Sequence, residues 1–289
     1  MRKKGKRQKG FTGTKSVLIW SGITVLFIVV LSLGYLLYGD LVSEKVRKHR
    51  PVTVPGKAKQ YSVHKRKIAI IIDDVGYDLW PVEEIIKMSA PITLSILPHC
   101  PYSTESAERA HRAGREILLH LPMEPSDYPE KNPGDGALFV SMSDGDIRYQ
   151  LDANFKSVPY VSGVNNHMGS RFMEDEKKLE VVLKVLREKK LFFIDSYTTK
   201  NTKGEKVARK VGVPFVGRDV FIDNNSDFVD TMEIMEKMID KRGNWQTLVI
   251  IGHTYESTIQ ALKKAIPLFK ASGIEIVPPS ELTGQTTTG

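Results

Sequence analysis

Short apolar runs alternate with amphipathic helical segments from Lys67 to Val277, and this alternation limits the possible folds more than any other feature of the chain. The segments between the runs carry apolar residues at helical spacing, most clearly around Leu183. Such a pattern indicates a parallel sheet covered by helices, and seven or eight strands favour a (β/α) barrel of the α/β class. A doubly wound open sheet is the alternative. The strand candidates are Ile68–Ile72, Ile92–Leu97, Glu116–Leu119, Tyr160–Val164, Leu191–Ile194, Pro214–Val216, Thr247–Ile251 and Ile274–Val277.

Polar or ionisable residues follow seven of these strands in succession. Chemistry in parallel barrels is carried at the carboxyl ends of the strands, so the repetition predicts one shared site. A single histidine in such a place is more often structural, and His99 is interpreted in that way. The residues at the strand ends are Asp73 and Asp74, His99, His120 and Glu124, Asn165, Asn166 and His167, Asp195, Arg218 and Asp219, and His253.

The adjacent carboxylates Asp73 and Asp74 admit three interpretations. They could cap the following helix, they could divide between a cap and a salt bridge, or one could bind a divalent cation while the other acts as a base. The third needs neutral imidazoles nearby, and His120 and His167 are candidates. One carboxylate with two imidazoles leaves positions open for water and substrate, and this donor set suits zinc best, with cobalt, nickel and manganese as alternatives.

The first 64 residues predict a membrane anchor and a linker. Residues 1–15 form a basic tail with seven lysines and arginines, and residues 16–39 carry no charge. The 22 residues from Val17 to Tyr38 would form a helix of about 33 Å, enough to cross a bilayer core. The flanking charges favour a cytoplasmic N-terminus and a periplasmic or extracellular body, and a buried core helix is the weaker alternative. Residues 40–64 are polar, contain two prolines and are predicted to be a linker.

Charge and cysteine content exclude several classes of function. Residues 1–60 hold 13 basic and two acidic residues, whereas residues 61–289 hold 29 basic and 32 acidic residues. The basic excess therefore belongs to the N-terminal segment, and a nucleic-acid partner is not expected. The one cysteine, Cys100, excludes an internal disulfide. No glycine-rich phosphate loop follows a strand.

Six motifs in order, IIDDVGYD, EILLHLPMEP, NNHMGSRF, FFIDSYT, GRDVFIDN and VIIGHT, closely resemble the divergent polysaccharide deacetylase family, a branch of the NodB-type carbohydrate esterases. The resemblance covers roughly Lys65 to Leu282, so residues 65–282 are expected to form a NodB-like (β/α)7-8 barrel, with a disordered tail at 283–289. It implies a metal-dependent deacetylase acting on an acetylated polysaccharide or peptidoglycan-like glycan.

The resemblance also implies roles for individual residues. Asp73 matches the base, Asp74 and His120 match metal ligands, and His253 matches the histidine that assists the leaving group. Glu124 or Met123 stands where ordinary NodB enzymes have a second histidine, and His167, in a loop that replaces their Arg-Pro-Gly type motif, is expected to supply the missing imidazole.

Other polar residues are expected to support the site. The metal and a backbone N–H near Asn165 and Asn166 are candidates for oxyanion stabilisation, and Asp195 and Arg218 for an ion pair or for holding the catalytic His and Asp in place. A non-catalytic envelope protein that binds glycan or a partner and keeps a residual metal site is the competing hypothesis. A phosphohydrolase is less favoured, because Arg218 is the one basic residue at the strand ends.

Overall fold

A computed structural model describes residues 65–240 and 244–283, which contain nine strands and seven α-helices. The strands are β1 (Lys67–Val75), β2 (Thr93–Ile96), β3 (Ile117–Met123), β4 (Gly163–Met168), β5 (Phe192–Asp195), β6 (Phe215–Gly217), β7 (Val220–Phe221), β8 (Thr247–His253) and β9 (Glu275–Ile276). The helices are α1 (Trp80–Ile86), α2 (Ser103–Arg112), α3 (Asp144–Ser157), α4 (Glu176–Glu188), α5 (Gly204–Val211), α6 (Phe228–Ile239) and α7 (Glu256–Ala271).

The predicted basic tail, membrane span and linker, residues 1–64, lie outside the described residues, as does nearly all of the predicted tail at 283–289. None of the helices in the described part of the chain combines the length and the apolar character that crossing a bilayer requires.

All strand pairs in the sheet are parallel, in the order β6-β5-β4-β3-β2-β1-β8-β7, with β9 added beside the start of β1. The prediction of parallel strands connected by helices is confirmed. The end strands β6 and β7 do not pair with each other in the described structure, so the ring is not closed by hydrogen bonds. The fold is a half-barrel rather than a complete one.

The sheet is curled around an inner core. Side chains from β1, β3, β5 and β8 pack together on one face, although β5 and β8 are separated by four strands in the sheet. Gly163 of β4 leaves room in this core, because a Cβ there would lie 2.4 Å from the Phe192 ring. The inner core comprises Ala69, Ile71, Leu118, Phe192, Ile194, Val249, Ile251, Val277 and Leu282.

A second, larger apolar layer lies between the sheet and the helices. It takes the alternate residues of β1, Ile68, Ile70 and Ile72, together with the apolar faces of the surrounding helices. Strands buried on both faces carry continuous apolar runs, which explains the five apolar residues from Ile68 to Ile72.

Helix starts are fixed by local polar residues that the sequence places before them. Ser143 caps α3 through a reciprocal capping box with Asp146. Asp175 caps α4 by accepting hydrogen bonds from the backbone N–H groups of Lys177 and Lys178. These caps fix the positions at which the helices return to the sheet.

Candidate functional site

The inner face of the half-barrel changes from apolar to polar at the carboxyl ends of the strands. On β1 the inward residues are Ala69, Ile71 and then Asp73, and on β8 Ile251 is followed by His253. Asp73 and His253 are neighbours across the β1–β8 pairing. The same alternation directs His120 of β3 and both Asn165 and His167 of β4 into the mouth, because inward side chains recur every second residue.

A β-bulge brings Asp74 to the same side as Asp73. Adjacent residues of a regular strand face opposite ways. Between Ile72 and Val75, however, β1 advances three residues while β2 advances two, from Leu94 to Ile96. Asp74 has a left-handed backbone with φ of 60°. The irregularity re-aims its carboxylate, as bulges near functional sites do.

Asp74, His120 and His167 form a compact group, referred to below as the metal cluster. Asp74 Oδ1 lies 3.2 Å from His120 Nε2 and 3.1 Å from His167 Nδ1. The two ring nitrogens lie 3.1 Å apart. The structure thus brings together the three predicted ligands, which come from β1, β3 and β4.

The metal cluster fits a divalent cation. Asp74 Oδ1 is buried and has no partner of hydrogen-bonding geometry among the described residues, although both rings are close. Ligand atoms on a tetrahedral zinc, at bonds of about 2.05 Å, are about 3.3 Å apart, close to the three separations seen here. Burial opposes ionisation of Asp74, but the two rings lower its pKa well below the ordinary value, so a carboxylate is present. The donor set is that of zinc or a similar ion.

Asn165 connects the metal cluster to Asp73. Its amide Nδ2 donates to Asp73 Oδ1 at 2.8 Å, and its Oδ1 lies 3.0 Å from His120 Nδ1. Both Asn165 and Asp73 are buried, and Asp73 Oδ2 lies 3.7 Å from His120 Nε2. One oxygen of Asp73 is therefore held by the amide while the other faces the cluster.

His253, which is half-buried, forms a pair with the buried Asp223, called the proton pair below. His253 Nδ1 lies 2.9 Å from Asp223 Oδ1, and the His253 backbone N–H donates to Asp223 Oδ2 at 2.6 Å. The Thr258 hydroxyl also donates to that oxygen, at 2.7 Å. Burial of the ring opposes its charge, but the Asp223 carboxylate outweighs it and raises the pKa of His253 to about 9.

Sequence reasoning missed Asp223. The residue stands in the GRDVFIDN motif, but the strand before it, β7, has two residues and gives too short a pattern to detect. The available signal was an aspartate two residues beyond Phe221, in a chain whose proposed catalytic His253 still had no assigned carboxylate partner.

Asn166 and Asp195 face away from the mouth. Asn166 Oδ1 accepts from the Ser196 backbone N–H at 2.9 Å, which joins the ends of β4 and β5. Asp195 accepts from the Thr202 hydroxyl at 2.6 Å, and burial raises the pKa of its carboxyl. Both residues shape loops, and neither carboxamide nor carboxylate enters the metal cluster.

Arg218 does not form the predicted ion pair with Asp195 within 4.0 Å in the described structure. Its Nε donates instead to the Ser196 carbonyl at 2.8 Å, and its guanidinium lies 3.8 Å from the centre of the Phe221 ring. The Phe221 ring in turn stacks near His253, at 5.7 Å between ring centres. Arg218 thus supports the wall behind the proton pair.

Glu124 holds loops rather than a cation. Its Oε2 accepts from the Val140 backbone N–H at 2.6 Å, and its Oε1 pairs with Arg171 at 3.1 Å. The buried carboxylate joins the long loop before α3 to the turn after β4.

Exposed tyrosines surround the mouth. Five lie in loops that follow the carboxyl ends of strands, with 40–64% of their surface exposed. Tyr255 lies beside the proton pair, with its ring centre 5.8 Å from that of His253. Trp80, by contrast, packs against the larger apolar layer between the sheet and the helices. The five, called the tyrosine rim below, are Tyr77, Tyr102, Tyr128, Tyr197 and Tyr255.

Known proteins resemble this chain over the half-barrel. The family model described as divergent polysaccharide deacetylase matches residues 70–283. The uncharacterized protein YibQ of Escherichia coli is 34% identical over 202 residues, which are 69% of this chain and 62% of that relative. An uncharacterized protein of Haemophilus influenzae is 32% identical over 206 residues, 71% of this chain and 73% of the relative. The matched part thus spans less than two thirds of the Escherichia coli relative.

Solved structures share the fold. An uncharacterized protein from Agrobacterium tumefaciens superposes with a TM-score of 0.69 at 23% identity, covering 77% of this chain and 91% of that one. A putative cellobiose-phosphate cleavage protein from Enterococcus faecalis gives a TM-score of 0.53 at 16% identity, with 75% and 99% covered. At these identities the likeness concerns the fold.

Proposed function

The chain belongs to the divergent polysaccharide deacetylase family, and from that premise we propose that it is a metal-dependent deacetylase of an acetylated cell-envelope glycan. The observation that carries the proposal is the placing of the metal cluster beside a free oxygen of Asp73, with the proton pair on the adjoining strand. A cation site, a base and an acid are the three parts that hydrolysis of an acetyl group requires.

Asp74, His120 and His167 would hold the cation, with zinc the favoured ion. When bound, such a cation supplies Lewis acidity toward the acetyl carbonyl and makes a water molecule more acidic.

Asp73 is the proposed base. Its Oδ1 is occupied by the Asn165 amide, so Oδ2 is the oxygen that takes the proton of the attacking water. The hydroxide oxygen forms the new bond to the acetyl carbon. Asp73 is buried at the base of the mouth.

His253 is the proposed acid. Asp223 is bound to Nδ1 of the ring. The proton that His253 donates toward the mouth is therefore the one on Nε2. A pKa of about 9 keeps the imidazolium protonated at neutral pH. As the bond between the acetyl carbon and the sugar nitrogen or oxygen breaks, His253 protonates the departing amine or alkoxide, and acetate is released.

A glycan substrate is supported by the tyrosine rim. Tyrosine presents an apolar ring face together with a hydroxyl, which suits a partner that is apolar on its ring faces and polar at its edges. The rim residues come from five separate loops, those after β1, β2, β3, β5 and β8, which suits a substrate of several sugar units. A polysaccharide or peptidoglycan-like chain is therefore the proposed partner.

Membrane anchoring through residues 16–39 is part of the proposal. The uncharged run and the basic residues before it support a span with the N-terminus in the cytoplasm. The catalytic body would then act in the periplasm or at the cell exterior, where envelope glycans are found.

A non-catalytic glycan-binding protein is the competing function. One observation favours it: the third ligand, His167, comes from β4, whereas ordinary NodB-type enzymes place a second histidine near the end of β3, where Met123 and Glu124 stand here. A binding protein would keep the metal cluster and the tyrosine rim, but it would not need the proton pair.

Zinc titration of the full chain, combined with acetate release from acetylated chito-oligomers and peptidoglycan, tests the proposal. We expect zinc binding and acetate release in the wild type. Asp73→Asn should retain zinc while acetate release falls by about 10²–10⁴-fold. Zinc binding without acetate release on any of these glycans would favour the binding protein, and an absence of zinc binding would reject both functions.

A further inference from the structure

We propose that Ser95 and Asn165 form a hydrogen-bonded relay of fixed direction that sets the tautomer of His120 and selects the oxygen of Asp73 that acts as base. The inference deepens the proposed function and rests on it for its catalytic consequence. Its structural part rests on three contacts of one buried side chain: the Asn165 amide lies 2.6 Å from Ser95, 3.0 Å from His120 and 2.8 Å from Asp73.

The Asn165 amide can point in one direction only. Its Nδ2 lies 2.8 Å from Asp73 Oδ1, and an ionised carboxylate accepts hydrogen bonds but donates none. The opposite orientation would place the amide oxygen against the carboxylate oxygen. The donor side therefore faces Asp73, and Oδ1 faces His120 and Ser95.

This orientation sets the tautomer of His120. Asn165 Oδ1 is an acceptor, so the facing His120 Nδ1 must carry a hydrogen. In the neutral ring the lone pair is then on Nε2, the nitrogen that faces Asp74 and His167. Metal-ligating histidines need this second partner to fix the ring and its tautomer.

Ser95 completes the relay. Its hydroxyl lies 2.6 Å from Asn165 Oδ1, and both residues are fully buried. Since Oδ1 can only accept, the hydroxyl donates to it. Two donors on the amide oxygen strengthen donation by the amide nitrogen to Asp73, because hydrogen bonds in a chain polarise one another. Asp73 Oδ1 is thus held, and Oδ2 is left as the oxygen that receives a proton.

The relay predicts that mutations can separate its two effects, the one on the His120 tautomer and the one on the Asp73 carboxylate. Asn165→Asp keeps an acceptor for His120 and Ser95 but places a second carboxylate against Asp73. Asp73 Oδ1 then loses its donor, so neither oxygen of Asp73 is singled out as the base. We expect zinc affinity within about threefold of the wild type and a loss of acetate release of about 100-fold.

Asn165→Ala and Ser95→Ala instead weaken the control of the His120 tautomer. Without the amide, His120 should populate both neutral tautomers, and zinc affinity should fall by about 10–100-fold. Ser95→Ala removes one donor and leaves the amide in place, so we expect a smaller loss, about threefold to tenfold. Ser106→Ala is the matched control, because that serine is also fully buried and its hydroxyl has no hydrogen-bond partner among the described residues.

Nitrogen-15 NMR of imidazole-labelled protein without metal is the deciding measurement, recorded over a pH series that extends until His120 is neutral. The wild type, Asn165→Asp and Ser106→Ala should show the Nδ1–H tautomer, and Asn165→Ala a mixture. An Nε2–H tautomer in the wild type, or the pure Nδ1–H form in Asn165→Ala, would overturn the relay. A wild-type protein with the expected tautomer that binds no zinc would instead contradict the proposed function and leave the relay standing.

Discussion

The metal cluster and the proton pair are built from the same residue types at the same mouth, yet their polar atoms are arranged in opposite ways. In the metal cluster, two ring nitrogens and a carboxylate oxygen converge within 3.1–3.2 Å, and no hydrogen bond of good geometry reaches Asp74 Oδ1 within the described chain. In the proton pair, a ring nitrogen and a carboxylate oxygen lie 2.9 Å apart as donor and acceptor.

The partner behind each ring explains the difference. His120 Nδ1 rests on the neutral amide of Asn165, so the ring has an uncharged partner behind it and directs its other nitrogen into an anionic group. Burial opposes a charge on His120, while Asp73 and Asp74 raise its pKa. A divalent cation can take the place of the proton that would charge the His120 ring. His253 rests on a buried carboxylate and keeps its own proton. The metal cluster is arranged to take its positive charge from a bound cation, whereas in the proton pair the His253 side chain carries the positive charge itself.

Replacing a ligand of the metal cluster should have the largest effect. His120→Ala removes one of three donors and leaves two, so zinc affinity should fall by about 100-fold or more, with loss of acetate release. Competition titration against a chelator measures the affinity. His111→Ala is the control, because His111 is exposed and stacks on Tyr160 away from the cluster. Equal affinity in His120→Ala and wild type would contradict the metal cluster.

Replacing the carboxylate of the proton pair should have an intermediate effect that depends on pH. A general acid must be protonated, so wild-type kcat/KM should decline as pH rises through about 9. Asp223→Asn removes the partner that raises this pKa, and the decline should move toward pH 6.5, the ordinary value. Activity at pH 8 should fall by about tenfold or more.

Stability gives an independent measurement of the same pair. The folded pKa of His253 lies above its unfolded value, so the stabilisation is complete below about pH 6.5 and is lost as pH rises through about 9. Urea unfolding of the metal-free protein should show a decrease of about 1–3 kcal/mol over this interval, and Asp223→Asn should show a smaller decrease, because His120, whose pKa is also raised, still contributes. A pH-independent wild type would show that Asp223 does not hold a charged ring.

Removing one rim tyrosine should have the smallest effect. Tyr255→Ala should raise KM for long acetylated chito-oligomers by about twofold to tenfold, the range expected for one aromatic contact, while kcat changes little. Tyr149→Ala is the control, since Tyr149 is 78% exposed on α3 rather than at the mouth. An equal KM for both variants would indicate that the rim does not bind the glycan.

The sequence was sufficient for the class of fold and for the family. Eight apolar runs at the spacing of strands and helices predicted parallel strands, and all eight overlap strands of the structure, although Tyr160–Val164 shares only its last two residues with β4. The six motifs identified the family that the comparisons confirm. These features could be read because apolar periodicity and strand-end residues are local properties of the chain.

The sequence could not assign faces to the polar residues. The strands that carry FFID and IIIDD are buried on both faces, so their apolar residues do not alternate with polar ones. Without that alternation the face of each residue is not fixed, and a shift of one residue would move every side chain to the opposite face. Asp195 and Asn166 were therefore grouped with the site, although they face away from it.

What the sequence determined alone was thus the order of the elements and the kinds of polar residue at their ends. The tertiary structure decided which of them meet. It left the ring of strands open between β6 and β7, turned Asp74 inward through a bulge, and placed Asp223 behind His253. Each of these outcomes depends on contacts between strands far apart in the chain, and local periodicity carries no record of such contacts.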